Sequence, residues 1–116
     1  MHLLVIRHAI AEDREEFAKS SRDDSERPLT RLGRRRMRRN ARGLRRVAPV
    51  IDVIASSPYT RAADTASIVA DMLGVRDEIV VLDTLTPEQP SEALLPWLAT
   101  QPADATIADV MSGLAV

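Results

Sequence analysis

The chain has 116 residues, 16 basic and 17 acidic side chains, a net charge of −1, 45% apolar residues and no cysteine. Its length admits one domain over residues 1–116 with a modest core. The near-neutral balance argues against general nucleic-acid binding, and the lack of cysteine excludes a disulfide, a thiolate nucleophile and a sulfur metal site. With one Phe, one Tyr and one Trp, the core must be aliphatic. Arg7 and His8 interrupt the first apolar run too early for a secretory segment, and no run approaches the ~20 apolar residues of a membrane span. A cytoplasmic, soluble protein is the expectation.

Leu3-Leu4-Val5-Ile6 reads as a short strand buried on both faces, of the kind found in the middle of a parallel sheet. It ends in Arg7 and His8. Open α/β sheets bind ligands beyond the carboxyl ends of their strands, so the chain delivers a guanidinium and an imidazole to that place. Residues 10–27 are polar, with one Phe and the prospect of a helical turn over 12–19. A connection this long directly after His8 suits a loop that folds over a site.

Thr30 is placed to cap a helix over 31–47, with Gly33, Met37, Ala41, Leu44 and Ala48 on one face and Pro49 closing it. Arg34, Arg35, Arg36, Arg38, Arg39, Arg42, Arg45 and Arg46 fill the remaining faces. A solvated helix surface accounts for them; a docking surface for an acidic partner protein or RNA is the alternative. Residues 50–56 form a second buried strand. Ser57 then resembles an N-cap, with Pro58 at the first position of a helix running to Leu73 and stopped by Gly74. Arg61 falls in the first turn. A cation is unfavourable at that positive end, which suggests a nearby anion such as phosphate. Residues 78–82 make a third strand and 83–90 a loop. A short helix over 91–99 is kinked or shifted by Pro96, and a fourth strand covers 105–110.

Two strand ends thus present phosphate chemistry, Arg7-His8 on one and Ser56-Ser57-Pro58 with Arg61 on the other, and Arg27 or Arg31 can add a guanidinium. A phosphoryl dianion repels nucleophiles, so its charge must be clamped, and guanidinium does this bidentately at every relevant pH. Nearby cations keep an imidazole neutral and nucleophilic, able to carry the phosphoryl group covalently.

The stretches LLVIRHAIAE, RPLTRLG and ASSPYTRAADTA, in this order, resemble the histidine phosphatase superfamily, and most of all its small bacterial phosphohistidine phosphatases of the SixA type. The resemblance implies a three-layer α/β/α sandwich with a small, mainly parallel, phosphoglycerate-mutase-like sheet. It makes His8 the phosphate-accepting residue and Arg7 and Arg61 the clamp. Arg27 and Ser57 join Arg7 and Arg61 in substrate binding, Arg27 from a motif flanking the substrate entrance. It implies no metal or cofactor, no membrane, and a phosphohistidine-bearing protein as substrate.

The chain departs from the pattern at two places. The family places a second histidine after a late strand, whereas this chain has only His2 and His8. His2 lies at the far end of the first strand, roughly 20 Å from His8 at ~3.3 Å per residue, and cannot substitute. Residues 111–116 contain no histidine. The expectation is a member truncated, frame-shifted or degenerate at its C-terminus, lacking its last elements. Its activity would be reduced, and a non-catalytic phosphate- or phosphoprotein-binding remnant is the alternative. Asp83-Thr84 stands where relatives carry Pro-Glu, a weaker acid that fits a labile P–N bond better than a sugar phosphate.

Overall fold

The structure, a computed structural model, describes residues 1–47 and 50–112. Four strands, β1 (His2–Arg7), β2 (Val53–Ser56), β3 (Ile79–Val81) and β4 (Thr106–Met111), form one parallel sheet in the order β1-β4-β2-β3. The helices are α1 (Arg14–Ala18), α2 (Arg31–Val47), α3 (Thr60–Leu73) and α4 (Leu95–Leu98). Alternation along the strands assigns two layers to the sheet. Leu4, Ile6, Ile54, Ala108 and Val110 pack with Ala41, Ala62, Ala66 and Val69 from α2 and α3 on one face. On the other face, Ala55 and Met111 pack with Leu85, Leu94, Trp97 and Leu98 from the short helical segments. The result is the expected α/β/α sandwich, with an aliphatic core.

One expectation is corrected. The first strand is an edge strand, not a central one: among the described residues its only neighbour is β4, and Leu3 and Val5 are 43% and 61% exposed. Leu4 and Ile6 pack into the layer of α2 and α3, while Leu3 and Val5 line a cavity on the opposite face. The central strands are β4 and β2, where burial is nearly continuous.

Thr30 caps α2 as anticipated: its Oγ1 accepts from Gly33 N at 2.9 Å. Gly33 is required by packing, because a Cβ there would lie 2.2 Å from the Ile10 carbonyl oxygen. Ala48 and Pro49, read as the end of that helix, fall outside the described residues, as does the tail after Ser112. Gly74 ends α3 in the left-handed region at φ 72°, and Val75 N donates back to Ala70 O at 3.0 Å. The predicted second strand starts three residues late, at Val53. Pro96 does not interrupt a helix. A 3-10 turn over Ser91–Leu94 hands over to α4, placing Pro96 in the first turn of a new helix, where its missing N–H costs nothing. No described helix is long and apolar enough to cross a membrane.

Candidate active site

His8 follows β1 and extends its ladder, donating its backbone N–H to Met111 O at 3.2 Å. Ser57 extends β2 in the same way, donating to Val110 O at 3.1 Å. Both strand ends therefore emerge at the carboxyl edge of the sheet beside β4. Thr65, one turn into α3 from Arg61, locks them to the helix: its hydroxyl donates to Arg61 O at 2.7 Å and accepts from Ala9 N at 3.0 Å. The position of the His8 backbone is thus set by α3.

The imidazole has a defined tautomer. Nδ1–H donates to the Ala9 carbonyl at 2.7 Å, leaving the Nε2 lone pair. Burial lowers the His8 pKa below its ordinary value, and the charges of Arg61, Arg27 and Arg7 lower it further, in that order; the bond to Ala9 opposes them. The result is a neutral imidazole that feels the charge of three guanidiniums.

Arg61, in the first turn of α3, is 2% exposed and Arg27 is 7% exposed. Arg61 Nε donates to Ser112 O at 2.9 Å, and its Nη1 donates to the Asp24 carbonyl at 3.0 Å and to Asp24 Oδ2 at 3.2 Å. Arg27 Nε donates to Asp24 Oδ1 at 2.8 Å and its Nη1 to Glu12 O at 2.9 Å. The guanidinium of Arg61 also lies 4.9 Å over the Tyr59 ring. Arg7 is exposed at the strand end and is the weakest of the three influences on His8.

The loop that carries Arg27 is closed at its neck. Ala11 and Leu29 form an antiparallel bridge, flanked by Glu12 N donating to Pro28 O and Thr30 N donating to Ile10 O, both at 2.9 Å. Within it, α1 buries Phe17, and a 3-10 turn over Asp24–Glu26 presents Asp24. A groove of about 380 Å³ is lined by Arg14, Phe17, Arg22, Asp24, Tyr59, Arg61 and Glu88; of the four residues expected at the site it is lined by Arg61, and not by His8, Arg7 or Arg27.

Residues 3–86 match the profile of the histidine phosphatase superfamily, branch 1. The chain belongs to the histidine phosphatase superfamily. It is 36% identical over 99 residues to an uncharacterized protein of Picosynechococcus sp., covering 84% of this chain and 56% of that one. A structure assigned as a SixA phosphohistidine phosphatase of Nakamurella multipartitia superposes with a TM-score of 0.78 at 27% identity, over 98% of this chain and 60% of that one. The protein histidine phosphatase SixA in complex with tungstate gives 0.81 at 28% identity, over 97% and 69%. The chain therefore spans little more than half of the curated relative and about two thirds of these structures.

As a member of this superfamily, the chain brings His8, Arg7, Arg27 and Arg61 into one electrostatic neighbourhood. Ser57 is different. Its side chain is fully buried and its Oγ accepts from Tyr59 N at 3.2 Å, so it shapes the turn. The helix begins at Thr60 rather than Pro58, and Tyr59 caps it without a side-chain hydrogen bond. Arg31 is exposed. Thr84 lines an apolar cavity of about 230 Å³ with Leu3, Val5, Leu85, Leu94 and Asp109, on the sheet face opposite α2 and α3. At the end of β4, beside Arg61, stands Ser112, 1% exposed, its hydroxyl donating to Leu85 O at 3.2 Å.

Asp24 and Thr65 carry no local signal in the sequence. Asp24 sits three residues before Arg27, an acid–base spacing common on any surface turn, and its second partner is 37 residues away. Of the helix arginines, Arg34 pairs with Asp64 at 2.9 Å. Five others line an open groove of about 510 Å³ on α2 whose lining includes none of Arg7, His8, Arg27 and Arg61. Among the described residues, no group of three or more His, Asp or Glu side chains is arranged to hold a metal ion.

Proposed function

We propose that this chain is a phosphohistidine phosphatase that works through a phospho-His8 intermediate. The observation that carries the reading is the imidazole itself: uncharged, with Nδ1–H committed to Ala9 O and Nε2 free, beside Arg61, Arg27 and Arg7. Nε2 attacks phosphorus while the guanidiniums hold the equatorial oxygens. The P–N bond to the substrate imidazole breaks, and that nitrogen takes a proton from solvent. Water then attacks phospho-His8, forming a P–O bond and breaking P–Nε2, which releases inorganic phosphate and restores the neutral ring.

Two features favour a phosphoramidate over an ester. Thr84 lines the apolar cavity, and Asp24 is committed to two arginines, so neither is set to protonate an alkoxide. An imidazole leaves without that help. The likeness to SixA structures, one of them holding the oxyanion tungstate, points the same way. The substrate protein would enter by the groove between Phe17 and Tyr59, and the arginines of α2 offer an acidic partner a second contact.

Residues 1–116 supply no second histidine to complete the pocket, so turnover by this stretch is reduced by ~10²–10³. The same lack favours the second reading, a phosphoprotein-binding member that does not turn over. The deciding experiment incubates the protein with a phosphohistidine-bearing phosphotransfer domain. Dephosphorylation by wild type but not by His8→Ala, with an acid-labile phosphoprotein trapped on mixing, supports the phosphatase. Tungstate binding with equal, background rates for the two proteins selects the binding role.

A further inference from the structure

The phosphate clamp is occupied by the chain itself. Two guanidiniums, both more than nine-tenths buried, stand close enough that the charge of Arg27 lowers the pKa of Arg61. Buried like charges are costly without a counter-charge. Among the described residues the only carboxylate paired with either is Asp24, and it is paired with both, Oδ1 to Arg27 and Oδ2 to Arg61. It takes one edge of each guanidinium. The Nη2 group of each arginine has no protein partner among the described residues.

We propose that Asp24 is the internal counter-anion of the clamp: a positioning residue that holds Arg27 and Arg61 together in the empty site and limits how tightly the filled site retains phosphate. The charge count supports this. Arg7, Arg27 and Arg61 contribute three positive charges, Asp24 removes one, and the remaining two equal the charge of a phosphoryl dianion. Although partial burial raises the Asp24 pKa, hydrogen bonding to Arg27 and the charges of Arg27, Arg61 and Arg14 outweigh it, so the carboxylate is ionised wherever such a dianion exists. Its side chain is 43% exposed, on a 3-10 turn, so it can yield when an anion arrives. Without it the empty clamp is under-neutralised while the filled clamp is not, and the difference appears as tighter anion binding.

The inference rests on the reading of this site as a phosphoryl clamp, but its test needs no turnover. Inorganic phosphate is titrated calorimetrically at pH 8 and low salt into wild type, Asp24→Asn and Asp24→Glu. Asp24→Asn is expected to bind phosphate about tenfold more tightly than wild type, the size of one partly screened charge near a dianion. Phosphate should raise its melting temperature by more than it raises that of wild type. Asp24→Glu, which keeps the charge, should bind like wild type. Should Asp24→Asn be unfolded alone, phosphate must restore a cooperative melt. Equal or weaker phosphate binding by Asp24→Asn, or no restoration, overturns the proposal. Phosphate binding by wild type without phosphatase activity leaves it standing and removes only the catalytic reading; no binding by either protein removes both.

Discussion

Asp109 is the residue at which this fold works against itself. It lies in the middle of β4, paired to Val5 on one side and Ala55 on the other, and is 1% exposed. Both carboxyl oxygens are buried without a hydrogen-bond partner among the described residues, in a cavity shared with Leu3, Val5, Leu85 and Leu94. Burial pushes its pKa from 3.8 up to about 6. At about 1.4 kcal/mol per pH unit, that difference corresponds to about 3 kcal/mol. The sign follows from which state holds the proton. The folded chain keeps it up to about pH 6, whereas the unfolded chain loses it near pH 4. Stability attributable to Asp109 is therefore highest below pH 4, falls between pH 4 and 6, and is at its lowest above that window. Asp109→Leu removes the titrating group and matches the apolar lining. The stability gap between variant and wild type is expected to widen by about 2.4 kcal/mol from pH 4 to pH 8, since the unfolded carboxyl is already more than half ionised at pH 4. Urea unfolding followed by the fluorescence of Trp97, which packs against Leu85 and Leu94, measures it. Taking the gap cancels the carboxylates whose pKa values are lowered, Asp23, Asp24, Asp71 and Glu88, because both proteins share them. A gap that stays constant between pH 4 and 8 would refute the reasoning.

Other consequences can be measured. Thr65→Val leaves Ala9 N–H buried without an acceptor, so it should cost about 1–3 kcal/mol in chemical denaturation and lower turnover by misplacing His8. Gly33→Ala forces a Cβ against the Ile10 carbonyl and should cost about 1–3 kcal/mol by the same measurement. Arg61→Ala frees Asp24 and Ser112 O as well as losing the clamp; kcat/KM for phosphohistidine should fall by ~10² or more, while Arg31→Ala, on an exposed site, leaves it unchanged. Because burial and the arginines hold His8 below its ordinary pKa of 6.5, its nucleophilic form persists into mildly acid solution, and the acid limb of the kcat/KM profile should lie below pH 6.5.

Much of this was legible in the residues because it depends on short-range rules. An apolar run followed by Arg7-His8, a Thr30 cap and a Gly74 stop are local signals, and each appears where its chemistry required. Helix starts are governed by turn geometry that composition blurs: Ser57 looked like a cap and instead closes the turn before Tyr59. The edge position of β1 was not legible. Four apolar residues in a row suit a strand covered on both faces, and only the strand order reveals that one face of Leu3 and Val5 is open.

The order of residues along the chain determined the strand ends and the kinds of charge they carry, since these are properties of neighbours in sequence. What tertiary structure alone decided is which charges meet. Asp24 and Arg61 are 37 residues apart and Ala9 and Thr65 are 56 apart, and no local rule pairs them. They meet because parallel strands bring their carboxyl ends to one edge, where α3 and the closed loop converge and buried guanidiniums take the nearest carboxylate as partner.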